Sequence, residues 1–199
     1  MARSLYDYFE RFAHVIPEAV NTWRAQSPDG FLHVSEGLLA QAITHLEEQA
    51  KNFRGTQIKE DTITAAAIGF FNRFGIRASS QTNSRGHVDI YIKHAWQPSL
   101  VICGEAKIWN GASYHIAGLA QVLGYATGRT PFCFILAYVK IGGVEQHILT
   151  LQAALDAQLP EQQQGACTPH AIMKWALLTG HKHSSGHLVT VLHAGVNLV

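Results

Sequence analysis

Apolar and polar residues alternate with the period of a β-strand in two neighbouring stretches of the chain, 86–92 and 99–109. The first stretch places Asp89 on one face of the predicted strand. Its opposite face is wholly apolar and consists of Val88, Ile90 and Ile92. In the second stretch Glu105 and Lys107 project to one face, because they are two positions apart. Two adjacent strands would therefore bring an aspartate, a glutamate and a lysine together.

Helical periodicity accounts for much of the remaining chain. Residues 3–53 are predicted to be helical, with a break at Ser27–Gly30 and a longer helix that begins near Ser35. Further helices are predicted at 57–75, 113–128, 144–159 and 169–178, and further strands at 131–139 and 188–192. This order predicts a single α/β fold with a mixed central β-sheet flanked by helices.

Composition fits a folded chain. Of the 199 residues, 47% are hydrophobic and 15% are charged, which is enough apolar material for a sizeable core. The three cysteines do not form a disulfide framework and suit a reducing cytoplasm. Because the N-terminus lacks a continuous apolar segment and no run of 18 apolar residues occurs, we expect neither export by a usual signal nor a membrane span.

The trio of Asp89, Glu105 and Lys107 indicates a particular chemistry. Mg²⁺ takes oxygen ligands and is usually held by one or two protein carboxylates together with water and substrate phosphate. A lysine beside the carboxylates can orient an attacking water and neutralise charge that develops on a phosphorus centre. The expected reaction is metal-dependent hydrolysis of a phosphodiester bond, with Mg²⁺ or Mn²⁺ as the cofactor.

At these residues the chain resembles the PD-(D/E)XK nuclease superfamily, whose fold is called restriction-endonuclease-like. The signature of that superfamily is an aspartate on one strand and Glu-x-Lys on the next, and Val88 stands where many members have a proline. The resemblance implies an αβββαβ core, catalysis by Asp89, Glu105 and Lys107, and a metal site completed by the main-chain carbonyl of Ala106.

Two further motifs extend the resemblance over residues 59–140. The superfamily commonly places a metal-site glutamate on the helix before the first core strand, and Glu60 occupies that position. The spacing of Gln121 and Tyr125 is similar to the Gln-x-x-x-Tyr motif of RecB-type nuclease domains, which lies beside the nucleic acid. His87 and Arg129 flank the predicted site and are expected to contact the substrate as well.

The resemblance also implies partners. The substrate is expected to be nucleic acid, DNA rather than RNA, and the role a bacterial or phage-related defence or DNA-processing effector. The net charge is only +1, so phosphate contacts alone would give weak binding. We therefore expect a homodimer or a subunit of a larger complex. Residues 1–55 would form an N-terminal helical arm that packs on the core or on a partner, and residues 56–199 would form the nuclease-like domain.

Other interpretations of the same residues stay open. Glu105 and Lys107 could be a solvated ion pair, Glu60 a first-turn acid that favours the helix N-terminus, and the helix carrying Gln121 an ordinary polar surface. The whole chain could be a catalytically inactive nuclease-fold module that acts as a binding or assembly subunit. A third interpretation is an unrelated α/β enzyme, but the sequence contains no Gly-x-Gly-x-x-Gly, P-loop or Gly-x-Ser-x-Gly signature that would support it. Residues 181–187 are rich in histidine but fit no standard zinc spacing, and they predict a hairpin loop.

Overall fold

In the computed structural model the chain forms one seven-stranded sheet with helices on both faces; the structure describes residues 27–55, 57–74, 76–83, 86–94, 97, 99–128 and 130–199. The helices of this part of the chain are α1 (Pro28–Glu48), α2 (Glu60–Arg73), α3 (Ala112–Tyr125) and α4 (Val144–Gln158), with a 3₁₀ turn at Ala50–Asn52. The strands are β1 (Arg77–Asn83), β2 (Gly86–Lys93), β3 (Val101–Ile108), β4 (Phe132–Val139), β5 (Thr168–Pro169), β6 (Ala176–Lys182) and β7 (Leu188–Asn197).

The sheet is mixed, as predicted. Its strand order is β1-β2-β3-β4-β7-β6-β5. The central strands β3, β4 and β7 run parallel, and antiparallel hairpins extend the sheet on both sides. The predicted α/β class with a central sheet flanked by helices is therefore confirmed. None of the helices that the structure describes is long and apolar enough to cross a membrane.

Two apolar layers cover the two faces of the sheet. Strand β4 is buried along its whole length, so its side chains contribute alternately to the two layers. Phe134 and Tyr138 lie in the layer that α1 and α2 cover. Cys133 and Ile135 lie in the layer that α3 and α4 cover. A strand buried on both faces explains why residues 131–139 are apolar without alternation.

Helix α1 begins earlier than its predicted start near Ser35. Ser27 has an extended backbone, and its hydroxyl accepts a hydrogen bond from the Gly30 amide at 3.1 Å. Pro28 follows at the first helical position, where proline costs no hydrogen bond. The predicted break at Ser27–Gly30 is thus a helix start. The apolar face expected of this helix is buried, and it comprises Leu38, Leu39, Ala42, Ile43, Leu46 and, after the helix, Phe53.

The apolar face of α1 belongs to the same core as residues of the sheet, including Ile90 and Leu192. The described part of the proposed arm therefore packs on the sheet layer. The predicted helix within residues 3–26, and any partner surface there, lie outside the described residues.

The predicted helix at 169–178 is wrong. Residues 168–169 and 176–182 are strands, and Trp175 between them has a positive φ of 57°, which no helix allows. The sequence Ala176-Leu-Leu favours a helix locally, but β6 pairs with β7 along its whole length. Long-range pairing and burial therefore override the local preference.

A chain of buried hydrogen bonds joins α3 to β7 and β6. His181 Nδ1 lies 3.0 Å from the Glu161 carbonyl and must donate to it. The next contacts are His181 Nε2 to Thr179 Oγ1 at 2.7 Å, Thr179 Oγ1 to His193 Nε2 at 2.8 Å, and His193 Nδ1 to His115 Nε2 at 3.0 Å. Burial lowers the pKa of all three histidines, that of His115 to about 3, so each ring is neutral and carries one proton.

That single proton per ring fixes the direction of every bond in the chain. Thr179 donates to His181, His193 donates to Thr179, and His115 donates to His193. His115 Nδ1 then remains a buried acceptor with no partner in the described part of the chain. The turn between β6 and β7 is the hairpin predicted for residues 181–187, although His181 itself is buried in β6.

Candidate active site

A β-bulge in β2 places Asp89. Ser79 pairs with Tyr91 and Gln81 pairs with Val88, so two residues of β2, Asp89 and Ile90, lie opposite Ser80 of β1. The extra residue shifts the alternation of β2 by one position. Val88 therefore packs in the α3–α4 layer, whereas Ile90 packs in the α1–α2 layer. The predicted common face of Val88, Ile90 and Ile92 is wrong for Val88.

The Asp89 carboxylate lies beside the edge of β3. The pairing of β2 with β3 ends at Ile90 and Gly104. Beyond that point Asp89 Oδ2 accepts a hydrogen bond from the Ala106 amide at 3.0 Å. The side chain therefore replaces the strand partner that Ala106 has lost.

Glu60, in the first turn of α2, binds the Ile108 amide on the same edge of β3. Its Oε2 atom accepts a hydrogen bond from the Ile108 amide at 2.7 Å. Ala106 and Ile108 are two positions apart, so their amides point to one edge of β3. The N–H and C=O groups of a strand residue point the same way, so the Ala106 carbonyl faces this edge as well.

Glu105 and Lys107 complete the group on the face of β3 that α3 covers. Lys107 Nζ lies 2.6 Å from Glu105 Oε1 and 3.8 Å from Glu60 Oε1. Glu105 is only 2% exposed, and its Oε2 atom has no hydrogen-bond partner among the described residues. We call Glu60, Asp89, Glu105 and Lys107 the carboxylate–lysine cluster.

Burial dominates the ionisation of the cluster. Burial raises the pKa of Glu105 to about 7, although the ammonium of Lys107 opposes the shift. Burial also raises the pKa of Glu60, against the effect of the Ile108 amide. Burial alone would lower the pKa of Lys107, but its hydrogen bond to Glu105 and the three nearby carboxylates raise it instead. Lysine therefore stays charged, and Glu105 keeps its proton more readily than an exposed glutamate does.

Helix α3 covers the cluster with one face. A Cβ atom added at Gly118 would lie 3.5 Å from both Glu105 Cγ and Lys107 Cγ, so the helix approaches these side chains closely. The ring of Tyr114, one turn earlier, has its centroid 6.0 Å from Lys107 Nζ. Gln121 is exposed and falls on this face by its spacing, as does Tyr125.

Helical spacing predicts Ile116, Leu119, Ala120 and Leu123 as the apolar face of α3, and all of these except Ala120 pack on the core of the α3–α4 layer. His115, Leu119 and Val122 are buried, whereas Ala120 is exposed. His115 was missed because a histidine is not read as an apolar position. Its place in the buried hydrogen-bond chain explains how the core admits it.

Two other predicted residues border the cluster. His87 is 59% exposed by its side chain, and its Nδ1 atom lies 3.3 Å from Asp89 Oδ1. The ring of Tyr125 packs on Gly86: a Cβ atom added there would lie 3.0 Å from Tyr125 Cε1. Gly86 also has a φ of 125°, which side-chain-bearing residues rarely adopt. Tyr125 thus braces the start of β2 beside His87. Arg129 lies outside the described residues.

The structure thus gathers most of the predicted site in one place. Glu60, Asp89, Glu105 and Lys107 are in contact with one another or with adjacent amides of β3, and His87 borders them. Helical periodicity predicts Tyr114 and Gly118 on the same face of α3 as Gln121 and Tyr125, but they were assigned no role from the sequence. Their signal was their helical spacing from Gln121, at seven and three positions.

The cluster offers few side-chain ligands for a metal. Within the described ranges, no group of three or more His, Cys, Asp or Glu side chains is placed to hold an ion. A magnesium site needs fewer, because the ion keeps several waters.

No family model matches this chain, and no curated protein or solved structure is similar enough to it to count as a match. The functional conclusion therefore depends on the fold and on the geometry of the chain's own residues.

Burial of Glu105 predicts a pH-dependent stability. Its pKa is higher in the folded state than in the unfolded state, so the folded form binds more protons between about pH 4.5 and about 7. The contribution of Glu105 to the free energy of unfolding should fall as the pH rises through this window. The variant Glu105→Gln should lack this fall and be more stable than the wild type above pH 7 in EDTA. Urea unfolding between pH 4.5 and 8 measures both; parallel curves for the two proteins would contradict the prediction.

Proposed function

We propose that the protein is a metal-dependent nuclease that hydrolyses phosphodiester bonds, in DNA rather than RNA. The observation that carries the proposal is the carboxylate–lysine cluster at the point where β2 leaves β3. Glu105 is nearly inaccessible, so placing it beside two other carboxylates costs free energy in the metal-free protein. Such an arrangement favours a role in chemistry over an ordinary solvated ion pair. The resemblance to PD-(D/E)XK nucleases supports the same function.

The residues fit a hard divalent cation. Asp89, Glu105 and the main-chain carbonyl of Ala106 would hold Mg²⁺ or Mn²⁺, and Glu60 would contact the ion through water. The buried Glu105 Oε2 atom, which lacks a hydrogen-bond partner in the described structure, is an oxygen that such an ion would satisfy. When bound, the ion would lower the pKa of a water ligand and stabilise charge on the phosphate.

Lys107 supplies the positive side of the site. Its ammonium is held between Glu105 and Glu60, and the surrounding carboxylates keep it protonated. It would orient the attacking water and offset negative charge as that charge grows on the phosphate oxygens. The side chain is mostly buried, at 13% exposure, so these interactions would operate away from bulk water.

The oligomeric state, the location and the biological role of the protein are part of the same proposal. The near-neutral charge favours a homodimer or a larger complex, in which the region before residue 55 would contact a partner. A cytoplasmic location suits the three buried, free cysteines. A role in bacterial or phage-related defence or in DNA processing is compatible with a small nuclease of this kind.

Incubation of the purified protein with plasmid, linear duplex, single-stranded DNA and RNA tests the proposal. Each substrate is exposed to Mg²⁺, Mn²⁺ or EDTA, and the products are resolved by gel electrophoresis. We expect cleavage of DNA with at least one of the two ions and none in EDTA. Cleavage that persists unchanged in EDTA, or no cleavage of any substrate with either ion, would contradict it.

A further inference from the structure

One exposed aromatic ring stands at the mouth of the candidate site. Tyr114 lies in the first turn of α3 and is 43% exposed, one of the few large hydrophobic side chains of the described structure with so much open surface. Its ring centroid is 6.0 Å from Lys107 Nζ. The ring therefore combines an open face with a position next to the proposed reaction centre.

The two tyrosines on this face of α3 are not equivalent. Tyr125 packs against the backbone of Gly86 and is half-buried, so its ring is engaged in bracing β2. Tyr114 is instead 43% exposed, and its ring centroid lies 6.0 Å from the ammonium of Lys107. The exposed face of the Tyr114 ring is therefore aromatic surface on which another ring can stack.

The open face has a specific consequence for a nucleic acid. Inside a duplex, both faces of each base are stacked on neighbouring bases and are not available to a protein ring. An unpaired base can stack on a tyrosine, and such stacking contributes without any need for sequence recognition. Stacking also supplies affinity that does not depend on basic residues, which suits a chain with a net charge of +1.

We propose that Tyr114 is a base-stacking residue of this site and that the substrate is single-stranded nucleic acid, or an unpaired segment next to a duplex. This inference rests on the proposed nuclease function. An unpaired base covers the Tyr114 ring, and the phosphate attached to its sugar is brought to the carboxylate–lysine cluster. His87 is exposed next to Asp89, so it would border the path of the bound nucleic acid.

Cleavage of matched oligonucleotides tests the inference. A labelled 30-residue single strand, the same sequence as a blunt duplex, and an RNA copy are compared in Mg²⁺ and Mn²⁺. The wild type should have a higher kcat/KM on single-stranded substrate than on the duplex. Tyr114→Ala and Tyr114→Leu should each lower kcat/KM on the single strand by roughly tenfold to a hundredfold, mainly through KM. Tyr114→Phe should retain the wild-type value, because it keeps the ring.

Matched controls separate stacking from damage to the fold. Leu149→Ala removes a side chain of similar exposure, 52%, from the outer surface of α4 and should leave kcat/KM unchanged. Thermal unfolding identifies any variant that is not folded. If Tyr114→Ala does not fold, Tyr114→Leu, which keeps most of the side-chain volume, takes its place in the comparison. Comparison of the DNA and RNA strands shows which sugar the site accepts.

Several results would overturn the inference without touching the proposed function. These are preferred cleavage of the blunt duplex, an equal loss on duplex and single strand in Tyr114→Ala, or a Tyr114→Phe variant as impaired as Tyr114→Leu. If no substrate is cut with either ion, the proposed function fails instead. Fluorescence anisotropy then still tests the ring: tighter binding of the single strand than of the duplex, weakened in Tyr114→Ala, supports it, and equal binding overturns it.

Discussion

Cleavage should fall on the order of a thousandfold in each of the variants Asp89→Asn, Glu105→Gln and Lys107→Met. The first two replace a negatively charged ligand by a neutral group of the same shape, and the third removes the only ammonium that contacts Glu105 in the described structure. Initial rates on the best DNA substrate, at saturating Mg²⁺ or Mn²⁺, measure the effect. Because the amides are nearly isosteric with the acids, the loss should appear without loss of the fold.

An exposed acid provides the control for that experiment. Glu145→Gln removes one exposed negative charge from the first turn of α4, a helix that carries no residue of the cluster, and should leave the rate within about twofold of the wild type. Circular dichroism confirms that each variant is folded. Wild-type rates in all three cluster variants would show that the cluster is not the reaction centre.

Gly104→Ala should destabilise the fold by about 3 kcal/mol. Gly104 lies in β3 directly beside Phe134 of β4, and the Phe134 ring covers the space where a side chain at residue 104 would be. An added Cβ atom would lie 2.8 Å from Phe134 Cε1 and closer still to two other ring atoms. Phe134 is itself buried in the α1–α2 layer, so it has little room to move. The change in the free energy of unfolding is measured by urea denaturation.

A second glycine serves as the control for this change. Gly69 is exposed in α2, and an added Cβ atom there would meet nothing within 4 Å. Gly69→Ala should therefore stabilise the protein by up to about 1 kcal/mol through helix propensity alone. If Gly104→Ala unfolds at the same urea concentration as the wild type, the strands can separate enough to admit a methyl group, and the packing argument is wrong.

The sequence predicted the elements of the core because their patterns are long and repetitive. The buried face of α1, with Leu38 and Leu46, follows helical spacing over several turns, and the apolar run of β4 is short and rich in aromatic and β-branched residues, which favours a buried strand. The paired positions Glu105 and Lys107 required only the two-residue period of a strand. These are local properties, so no knowledge of the partner elements was needed.

The sequence-based predictions are wrong where residues far away in the chain determine the local structure. Residues 176–178 form a strand because β6 pairs with β7 along the whole length of β6, and that pairing is invisible in the local sequence. Val88 lies in the opposite layer from Ile90 because of a bulge whose partner residue, Ser80, belongs to another strand. A bulge inserts one residue without any necessary change of composition, so period counting along β2 alone could not reveal it.

The sequence was enough to name most residues of the candidate site, but not the hydrogen bonds that they make. The two-residue period of a strand predicted that Glu105 and Lys107 lie on one face, and the resemblance to PD-(D/E)XK nucleases predicted the position of Glu60. The hydrogen bonds from the amides of Ala106 and Ile108 to Asp89 and Glu60 depend on how far β2 separates from β3. Helical spacing placed Tyr114 on the face of Gln121 and Tyr125, but a single tyrosine at a helix start has no pattern that assigns it a role.

The bulge in β2 has a consequence for the way such a chain can change over time. Val88 belongs to one apolar layer and Ile90 to the other, while Asp89 between them is tied to the backbone of β3 rather than to either layer. Substitutions that repack one layer therefore need not displace the Asp89 carboxylate. The apolar side chains on either side of Asp89 can therefore be exchanged for others of similar volume while the carboxylate keeps its hydrogen bond to the Ala106 amide.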